Sequence, residues 1–463
     1  MKITRSAFIV LGPILALLFT FGLKQIGLED KAAIAAGITL LTVIWWVSEA
    51  VPIAAASLVP FALLPVFGIV DHKGVASALG SHVILLLMGA FMLAKALEKS
   101  GAHARLAVYM VSMVGVSSGR RLVFGFMLAS GFLSMWISNT ATTLIMLPIA
   151  LAILSGIDNP KLRVALILGI AYAASVGGIG TPIGTPPNVI FMGVYEELTG
   201  KTFSFFQWMR IGVPVVLVSL PIMALWLTRN VTLEADIVLP KPGPWRIEER
   251  RTLLVFGLTA LAWITRQDPF GGWSGALDMP MVGDSTIALF AVVVMFLIPN
   301  GKKDAKEQGR LLDWETAVSI PWGLLLLFAG GIAMAKGFTA SGLSDMLGNW
   351  LSSLEHMPLI LLILTICLVV TYLTEITSNT ATATLLMPIL AAAAIAMDID
   401  PTLLMIPATM AASCAFMLPV ATAPNAIAYG LGDIKIGDMV REGAVLSFVI
   451  SVVIGLVVYG LLG

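Results

Sequence analysis

Hydrophobic residues occur along this chain in long uninterrupted runs, separated by short polar segments. Runs such as 8–23, 211–227 and 444–462 are almost wholly apolar, and about 20 apolar residues suffice for a helix to cross a bilayer. The pattern predicts eleven membrane-spanning segments, near residues 6–24, 33–50, 53–70, 82–98, 163–193, 208–228, 252–266, 284–299, 316–337, 402–432 and 440–462.

Two more apolar blocks, 122–157 and 357–398, are too long for one helix and are each interrupted at the middle by the same polar triplet. The triplet Ser-Asn-Thr occupies 138–140 in the first block and 378–380 in the second. Ser, Asn and Thr are preferred at helix N-termini, so each triplet predicts the start of a half-helix. A helix, a break and a second helix together predict a re-entrant hairpin that enters and leaves on one side of the membrane.

The two halves of the chain repeat each other. The segment 84–101 aligns with 324–342 at an offset of 241, and the triplets follow at an offset of 240. A later pair, "GTPPN" at 184–188 and "ATAPN" at 421–425, has an offset of 237. Five predicted spans separate equivalent points, so the second copy is expected upside down relative to the first. Inverted repeats of this kind are typical of secondary transporters.

The proline-rich pair predicts a second broken element in each repeat. Glycine and proline in 177–188 and 417–425 stop a helix, and backbone freed within a membrane has to find partners in protein or in a water-filled cavity. Carbonyls, hydroxyls and amides at the breaks are hard oxygen ligands that suit a small cation. Since no carboxylate lies in these segments, a monovalent ion is favoured over calcium. The oxygen donors in question are Ser134, Ser138, Asn139, Thr374, Thr377 and Asn379.

Composition supports a membrane protein and excludes several other classes. The 463 residues are 58% hydrophobic and 12% charged, whereas soluble domains carry about 25% charged residues. A net charge of zero argues against nucleic-acid binding, and the two cysteines exclude a disulfide framework. The Gly-x-Gly-Asp of 430–433 resembles a word of intramembrane aspartyl proteases, but no tyrosine is followed by the Asp that those enzymes need. The chain is therefore not expected to be an enzyme.

Charge distribution predicts the orientation. With a cytoplasmic N-terminus, retained as the first span, the polar connections 229–251 and 300–315 and most of the 27 Lys and Arg residues fall inside, as the positive-inside bias requires. The C-terminus is then outside. The short loops indicate a bacterial inner membrane.

Three ionisable residues near the motifs have open roles. Glu375 adjoins the second triplet, either as a proton carrier or as a satisfied neighbour. Lys95 and Lys336 are expected to snorkel to the membrane surface, with tuning of an anion pathway as the alternative.

The duplicated triplets, the Pro-Asn breaks and the inverted repeat resemble the divalent anion/sodium symporter family, and within it the bacterial dicarboxylate transporters. The resemblance runs from about residue 30 to the C-terminus. It implies a homodimer in which a transport domain moves across the membrane against a scaffold, as an elevator. Relatives have a second proline where this chain has Ala423, which leaves the shape of the substrate open.

The resemblance also implies the site residues. A C4 dicarboxylate such as succinate, malate or fumarate would bind between the triplets, at Ser138, Asn139, Thr140, Ser378, Asn379 and Thr380, with Thr185 and Thr422 nearby. Two or more sodium ions would be coupled to it. One sodium site would use Ser134, Ser138, Asn139 and the carbonyl near Gly184, and the second Thr374, Thr377, Asn379 and the carbonyl near Ala421.

The resemblance divides the chain into scaffold and transport elements. Residues 1–80 would hold the N-terminal span and first-repeat scaffold, 81–200 the first transport elements with a cytoplasmic-side hairpin, 201–315 the linking and second-repeat scaffold helices, 316–440 the second transport elements with an outer-side hairpin, and 441–463 the C-terminal span.

Three functions stay open at this point: a sodium-coupled dicarboxylate symporter, a sodium-independent dicarboxylate exchanger, and a transporter of citrate or sulfate. The hydroxyl ligands at Ser134 and Thr374 favour sodium coupling. A channel is less consistent with the pattern, because inverted hairpins suit alternating access.

Overall fold

The chain is all-helical where the structure describes it. The computed structural model describes residues 6–115, 117–155, 157–232, 243–267, 271–301, 309–351 and 357–463, and among these an isolated bridge between Pro299 and Arg310 is the one β-type pairing. The predicted polar connections 229–251 and 300–315 lie partly outside these residues.

Twenty-three α-helices form the described part of the fold. They are α1 (Ala7–Gln25), α2 (Asp30–Ser48), α3 (Ile53–Ala56), α4 (Val59–Val66), α5 (His72–Leu79), α6 (His82–Ser100), α7 (Ala102–Val114), α8 (Gly119–Ser134), α9 (Asn139–Leu154), α10 (Pro160–Gly177), α11 (Pro186–Thr199), α12 (Phe205–Leu227), α13 (Ile247–Ile264), α14 (Gly272–Ala276), α15 (Asp284–Leu297), α16 (Trp314–Val318), α17 (Trp322–Ala340), α18 (Leu343–Leu351), α19 (Leu359–Thr374), α20 (Asn379–Ala396), α21 (Thr402–Ala412), α22 (Ala423–Gly430) and α23 (Ile436–Leu462).

Eight helical stretches of the described chain are long and apolar enough to cross a membrane. Several other predicted spans fall on shorter apolar helices, such as α15 and α21. The eight stretches are Ala7–Gln25, Asp30–Ser48, His72–Ser100, Pro160–Gly180, Phe205–Leu227, Trp322–Ala340, Asn379–Ala396 and Ile436–Leu462.

The two blocks with a Ser-Asn-Thr triplet are both helix–break–helix elements, as predicted. In the first block α8 ends at Ser134 and α9 begins at Asn139, and in the second α19 ends at Thr374 and α20 begins at Asn379. The two helices of each block contact each other. The break therefore falls at the triplet in both repeats, and each triplet starts a helix.

The second pair of breaks is also present, and it lies at the centre of the protein. A 3₁₀ turn, Gly178–Gly180, and a short irregular segment separate α10 from α11, while 413–422 separate α21 from α22. In the apolar stretch that includes α10, 89% of the residues are buried, whereas the share is 11% in the peripheral α1. The repeats interlock here, because α11 packs on α20 and α22 packs on α9.

One asparagine in each repeat fixes the unwound backbone. The side-chain nitrogen of Asn188 donates to the carbonyls of Gly178 and Thr181, at 3.0 and 2.7 Å. The nitrogen of Asn425 donates to the carbonyls of Ala415 and Leu418, at 3.1 and 3.0 Å. The two asparagines are 237 residues apart in sequence, and so are the carbonyls that they bind in the two repeats. This is the offset that also relates "GTPPN" to "ATAPN". Both asparagines are fully buried, so each replaces the water that the broken helix would otherwise need.

The free amide groups of the second break are satisfied by a buried carboxylate. Glu375 is 3% exposed and accepts hydrogen bonds from the backbone amides of Phe416, Met417 and Leu418 at 2.7 to 3.1 Å. The Ser447 hydroxyl on α23 donates to the same carboxylate at 3.2 Å. Three consecutive N–H donors match an ionised acceptor, so the geometry gives Glu375 the satisfied structural role. The first repeat has Met135 at this position, and its carbonyl accepts from the Thr181 hydroxyl.

Replacing Glu375 with glutamine is expected to loosen the second break. The amide nitrogen of glutamine would face backbone N–H donors and leave part of the cluster without an acceptor, at a cost on the order of 3 kcal/mol. We expect Glu375→Gln to lower the midpoint of thermal unfolding in detergent by about 3 °C. Glu29→Gln, at an exposed position, is the control and should change it little. Equal midpoints for the two variants would contradict this role of the carboxylate.

Candidate functional site

Both triplets open onto one cavity of about 540 Å³, which is within the usual range for small-molecule sites. All eight residues predicted to bind substrate line it: Ser138, Asn139, Thr140, Thr185, Ser378, Asn379, Thr380 and Thr422. Elements 240 residues apart in sequence therefore meet at a single place. The helix α6 and a turn at Ser319 and Pro321 close its side.

Four helix N-termini converge on this cavity. The helices α9 and α20 begin at the triplets, and α11 and α22 begin directly after Thr185 and Thr422. The first turn of a helix presents N–H groups without intrahelical partners and the positive end of its dipole. The hydroxyls of Ser138 and Thr422 each cap their own helix, but those of Ser378 and Thr185 do not. Free donors are thus directed at the cavity from both repeats.

The first oxygen cluster lies directly behind the first triplet. The Asn139 amide lies 2.6 Å from the Ser134 hydroxyl oxygen, 3.2 Å from the Gly184 carbonyl and 3.1 Å from the Ala174 carbonyl. With its nitrogen facing this cluster, the amide donates to all three oxygens. The cluster therefore gathers a hydroxyl and two carbonyls around one amide, and all three are hard oxygen ligands.

Glycine allows this close approach. A methyl group on Gly184 would lie 2.5 Å from the Gly178 carbonyl and 2.9 Å from the Ser134 carbonyl. The backbone of the broken segment can therefore reach the first triplet only without a side chain at this position.

The second cluster has the same core. The Thr374 hydroxyl donates to Asn379 Oδ1 at 2.7 Å and lies 3.1 Å from the Ala412 carbonyl. Ala421 lines the cavity in the position that corresponds to Gly184. Among the predicted ligands Thr377 is the exception, because its hydroxyl donates to the Leu373 carbonyl and pairs with Thr382 at 2.7 Å. Its hydroxyl makes no hydrogen bond to Thr374 or Asn379 in the described structure.

The ionisable residues on the cavity wall cancel each other. Lys95 and Glu98 are the charged members of the described lining, and they form an ion pair at 2.7 Å. Lys95 therefore lies on the cavity wall and is paired there with Glu98. Its repeat counterpart Lys336 pairs with Glu197 at 2.6 Å and lines a separate cavity with His82. The main cavity is left with no net side-chain charge.

Sequence reasoning missed four contributors to the site. The sequence places Asn188 and Asn425 in the broken segments without giving either a role. In the structure their side chains hydrogen-bond to the backbone of the segments that carry Gly184 and Ala421. Their recurrence at one offset was the available signal. The carbonyls of Ala174 and Ala412 had no signal, because a backbone atom in an apolar helix is not distinguished by residue type.

Comparison with known proteins gives the family. A family model described as "Sodium:sulfate symporter transmembrane region" matches residues 5–462. The chain is 42% identical over 474 aligned residues to the sodium-dependent dicarboxylate transporter SdcS of Staphylococcus saprophyticus, covering 97% of this chain and 90% of that protein. It is 41% identical, with the same coverage, to SdcS of Staphylococcus aureus.

A solved structure shares the fold. The Alcanivorax borkumensis YdaH transporter superposes with a TM-score of 0.61, covering 91% of this chain and 97% of that one, at 16% identity. At that identity the likeness concerns the fold alone. The family match and the identity to SdcS extend over almost the whole chain, and the protein is an integral membrane transporter, not an enzyme, that belongs to the sodium:sulfate symporter family.

Proposed function

We propose that this protein is a sodium-coupled symporter of C4 dicarboxylates such as succinate, malate and fumarate. The observation that carries the proposal is the uncharged cavity on which both triplets and four helix N-termini converge. The relatives named as sodium-dependent dicarboxylate transporters support it.

A ligand with two anionic ends fits this arrangement. One carboxylate would accept from the free amides and hydroxyls at Ser138, Asn139 and Thr140, and the other from those at Ser378, Asn379 and Thr380. The two triplets belong to different repeats, so each end has its own set of donors. A compact anion such as sulfate would engage one set at a time.

Sodium coupling is expected because the side chains of the cavity carry no net positive charge that could attract a dianion. Lys95 is neutralised by Glu98, so dipoles alone would face a dianion, and helix dipoles contribute only about 0.3–1 kcal/mol each at exposed sites. Cations held by the oxygen clusters would supply the remaining attraction. Ser134, Ser138, Asn139 and the Gly184 carbonyl would hold one sodium ion, and Thr374, Thr377, Asn379 and the Ala421 carbonyl the second. Thr377 would contribute through its backbone carbonyl, since its hydroxyl is engaged elsewhere.

The transport cycle is proposed to be of the elevator type in a homodimer. Eleven spans and two re-entrant hairpins would place the N-terminus in the cytoplasm of a bacterial cell and the C-terminus outside. Residues 81–200 and 316–440 would carry the site across the membrane. Their interlocked packing, α11 on α20 and α22 on α9, supports movement as one body.

Uptake of radiolabelled succinate into proteoliposomes tests the proposal directly. With an inward sodium gradient we expect accumulation above equilibrium, and with potassium in place of sodium we expect none. Uptake that ignores sodium but requires internal dicarboxylate would identify an exchanger instead. Sodium-driven uptake of sulfate or citrate, without succinate uptake, would move the assignment to another anion of the family.

Substitution of either triplet asparagine is expected to abolish coupled uptake. Asn139→Ala and Asn379→Ala each remove the amide at the centre of one cluster, and loss even of a group that only orients a metal ligand costs about 10- to 100-fold in metal affinity or activity. Asn159→Ala is the control, because it removes only the N-cap of α10 and so reproduces a modest loss of stability. Normal sodium-dependent uptake by folded Asn139→Ala or Asn379→Ala would rule out the two-site arrangement.

The two sodium sites can be distinguished at Gly184. Gly184→Ala would place a methyl group 2.5 Å from the Gly178 carbonyl and displace the carbonyl that serves the first site. We expect the sodium concentration for half-maximal uptake to rise about tenfold. The reverse exchange at the equivalent position, Ala421→Gly, only removes a methyl group and should leave that concentration nearly unchanged. Similar effects of both exchanges would show that close packing at Gly184 is not needed.

A further inference from the structure

A second cavity, remote from the triplets, has the chemistry of a phospholipid site. It has a volume of about 590 Å³ and lies where α10 begins, α12 ends and α23 begins. Five basic and three acidic side chains line it, which leaves an excess of two positive charges.

The positive excess resides on two lysines. Three arginines of the cavity are committed to acids: Arg163 pairs with Asp433 at 3.2 Å, Arg229 binds both oxygens of Glu442, and Arg441 pairs with Glu442 at 3.1 Å. Lys161 and Lys435 are exposed, and neither forms an ion pair within the described residues. Unpaired cations beside a fixed framework of ion pairs favour an anionic ligand.

An apolar groove joins this cavity at Arg229. Ile222, Leu225, Val445 and Val449 line the groove between α12 and α23, with a volume of about 330 Å³. Arg229 lines both spaces, and its guanidinium is fixed 3.9 Å above the Trp226 ring. From Arg441 in the cavity to Val449 in the groove, the two spaces together extend for about 12 Å along α23, at 1.5 Å per residue.

The groove faces outward. Leu217 and Leu225 on α12 are 62% and 70% exposed, and Phe448 on α23 is 50% exposed. Both helices are long and apolar enough to span the membrane, so lipid chains surround this surface. The charged cavity lies at the end where the positive-inside pattern puts the cytoplasm, which is the leaflet that carries anionic lipid.

We propose that this cavity and groove bind one anionic phospholipid, with the phosphate near Lys161 and Lys435 and an acyl chain between α12 and α23. A soluble phosphate would need the cavity but not the groove, and a zwitterionic lipid would gain less from the two lysines because its headgroup also carries a positive charge. The combination of an apolar channel and an unpaired basic end therefore specifies an anionic lipid. The site is separate from the transport cavity and does not depend on which anion is transported.

Native mass spectrometry of the purified full chain with added phosphatidylglycerol tests this. We expect retention of one phosphatidylglycerol in preference to phosphatidylcholine. Each lysine near an anionic membrane contributes about 1 kcal/mol, so K161Q and K435Q should each weaken that retention about fivefold. The double variant K73Q/K201Q, at exposed positions outside the cavity, is the matched control and should retain it fully. Unchanged retention by K161Q/K435Q would overturn the proposal.

Val445→Trp separates a lipid from a soluble anion. Its indole would fill the groove without changing the charges, so phosphatidylglycerol retention should fall while the lysines remain. If inorganic phosphate displaced the lipid in full and Val445→Trp had no effect, the cavity would hold a soluble anion and the lipid assignment would be wrong.

Discussion

Unwound backbone in an apolar interior is the constraint on which the rest of this structure depends. Each broken segment leaves N–H and C=O groups without intrahelical partners, and every buried group left unpaired is costly. The protein meets the constraint with side chains, chiefly Asn188, Asn425 and Glu375. Once those side chains hold the breaks, the carbonyls at Gly184 and Ala421 have fixed positions beside the triplets. The shape of the main cavity thus depends on how the breaks are stabilised.

In each repeat an asparagine side chain binds two backbone carbonyls of the break, but the other backbone groups of the two breaks have different partners. The asparagine occupies equivalent positions in both, whereas the carboxylate of Glu375 has no counterpart at Met135. Glu375 directly follows Thr374, which donates to Asn379 in the second cluster. A buried acidic side chain therefore lies next to that cluster, whereas the equivalent position beside the first cluster is Met135. The two clusters are alike in their hydroxyl–asparagine contact but differ in the groups that surround it.

The residue types at the triplets and breaks made part of the candidate site predictable. Ser138 and Ser378 precede helices because Ser-Asn-Thr favours N-termini, and α10 ends at Gly177, where the predicted break begins. The helix α21 ends at Ala412, five residues before the break predicted at 417–425. The meeting of four N-termini in one cavity was not predictable, since it depends on the packing of α11 on α20 and of α22 on α9. The hydrogen-bond partners of the Thr377 hydroxyl were not predictable for a related reason. Residue type shows that an oxygen is present, but the rotamer decides which neighbour that oxygen contacts.

The proposed function requires substrate recognition without a free cationic side chain. An unpaired lysine at the wall would hold an anion whether or not sodium was bound, and the anion could then cross alone. Pairing Lys95 with Glu98 removes that attraction. The remaining donors are weak dipoles, which become sufficient only when cations occupy the clusters behind the triplets. Under the proposed function, neutrality of the cavity is therefore what makes the coupling obligatory.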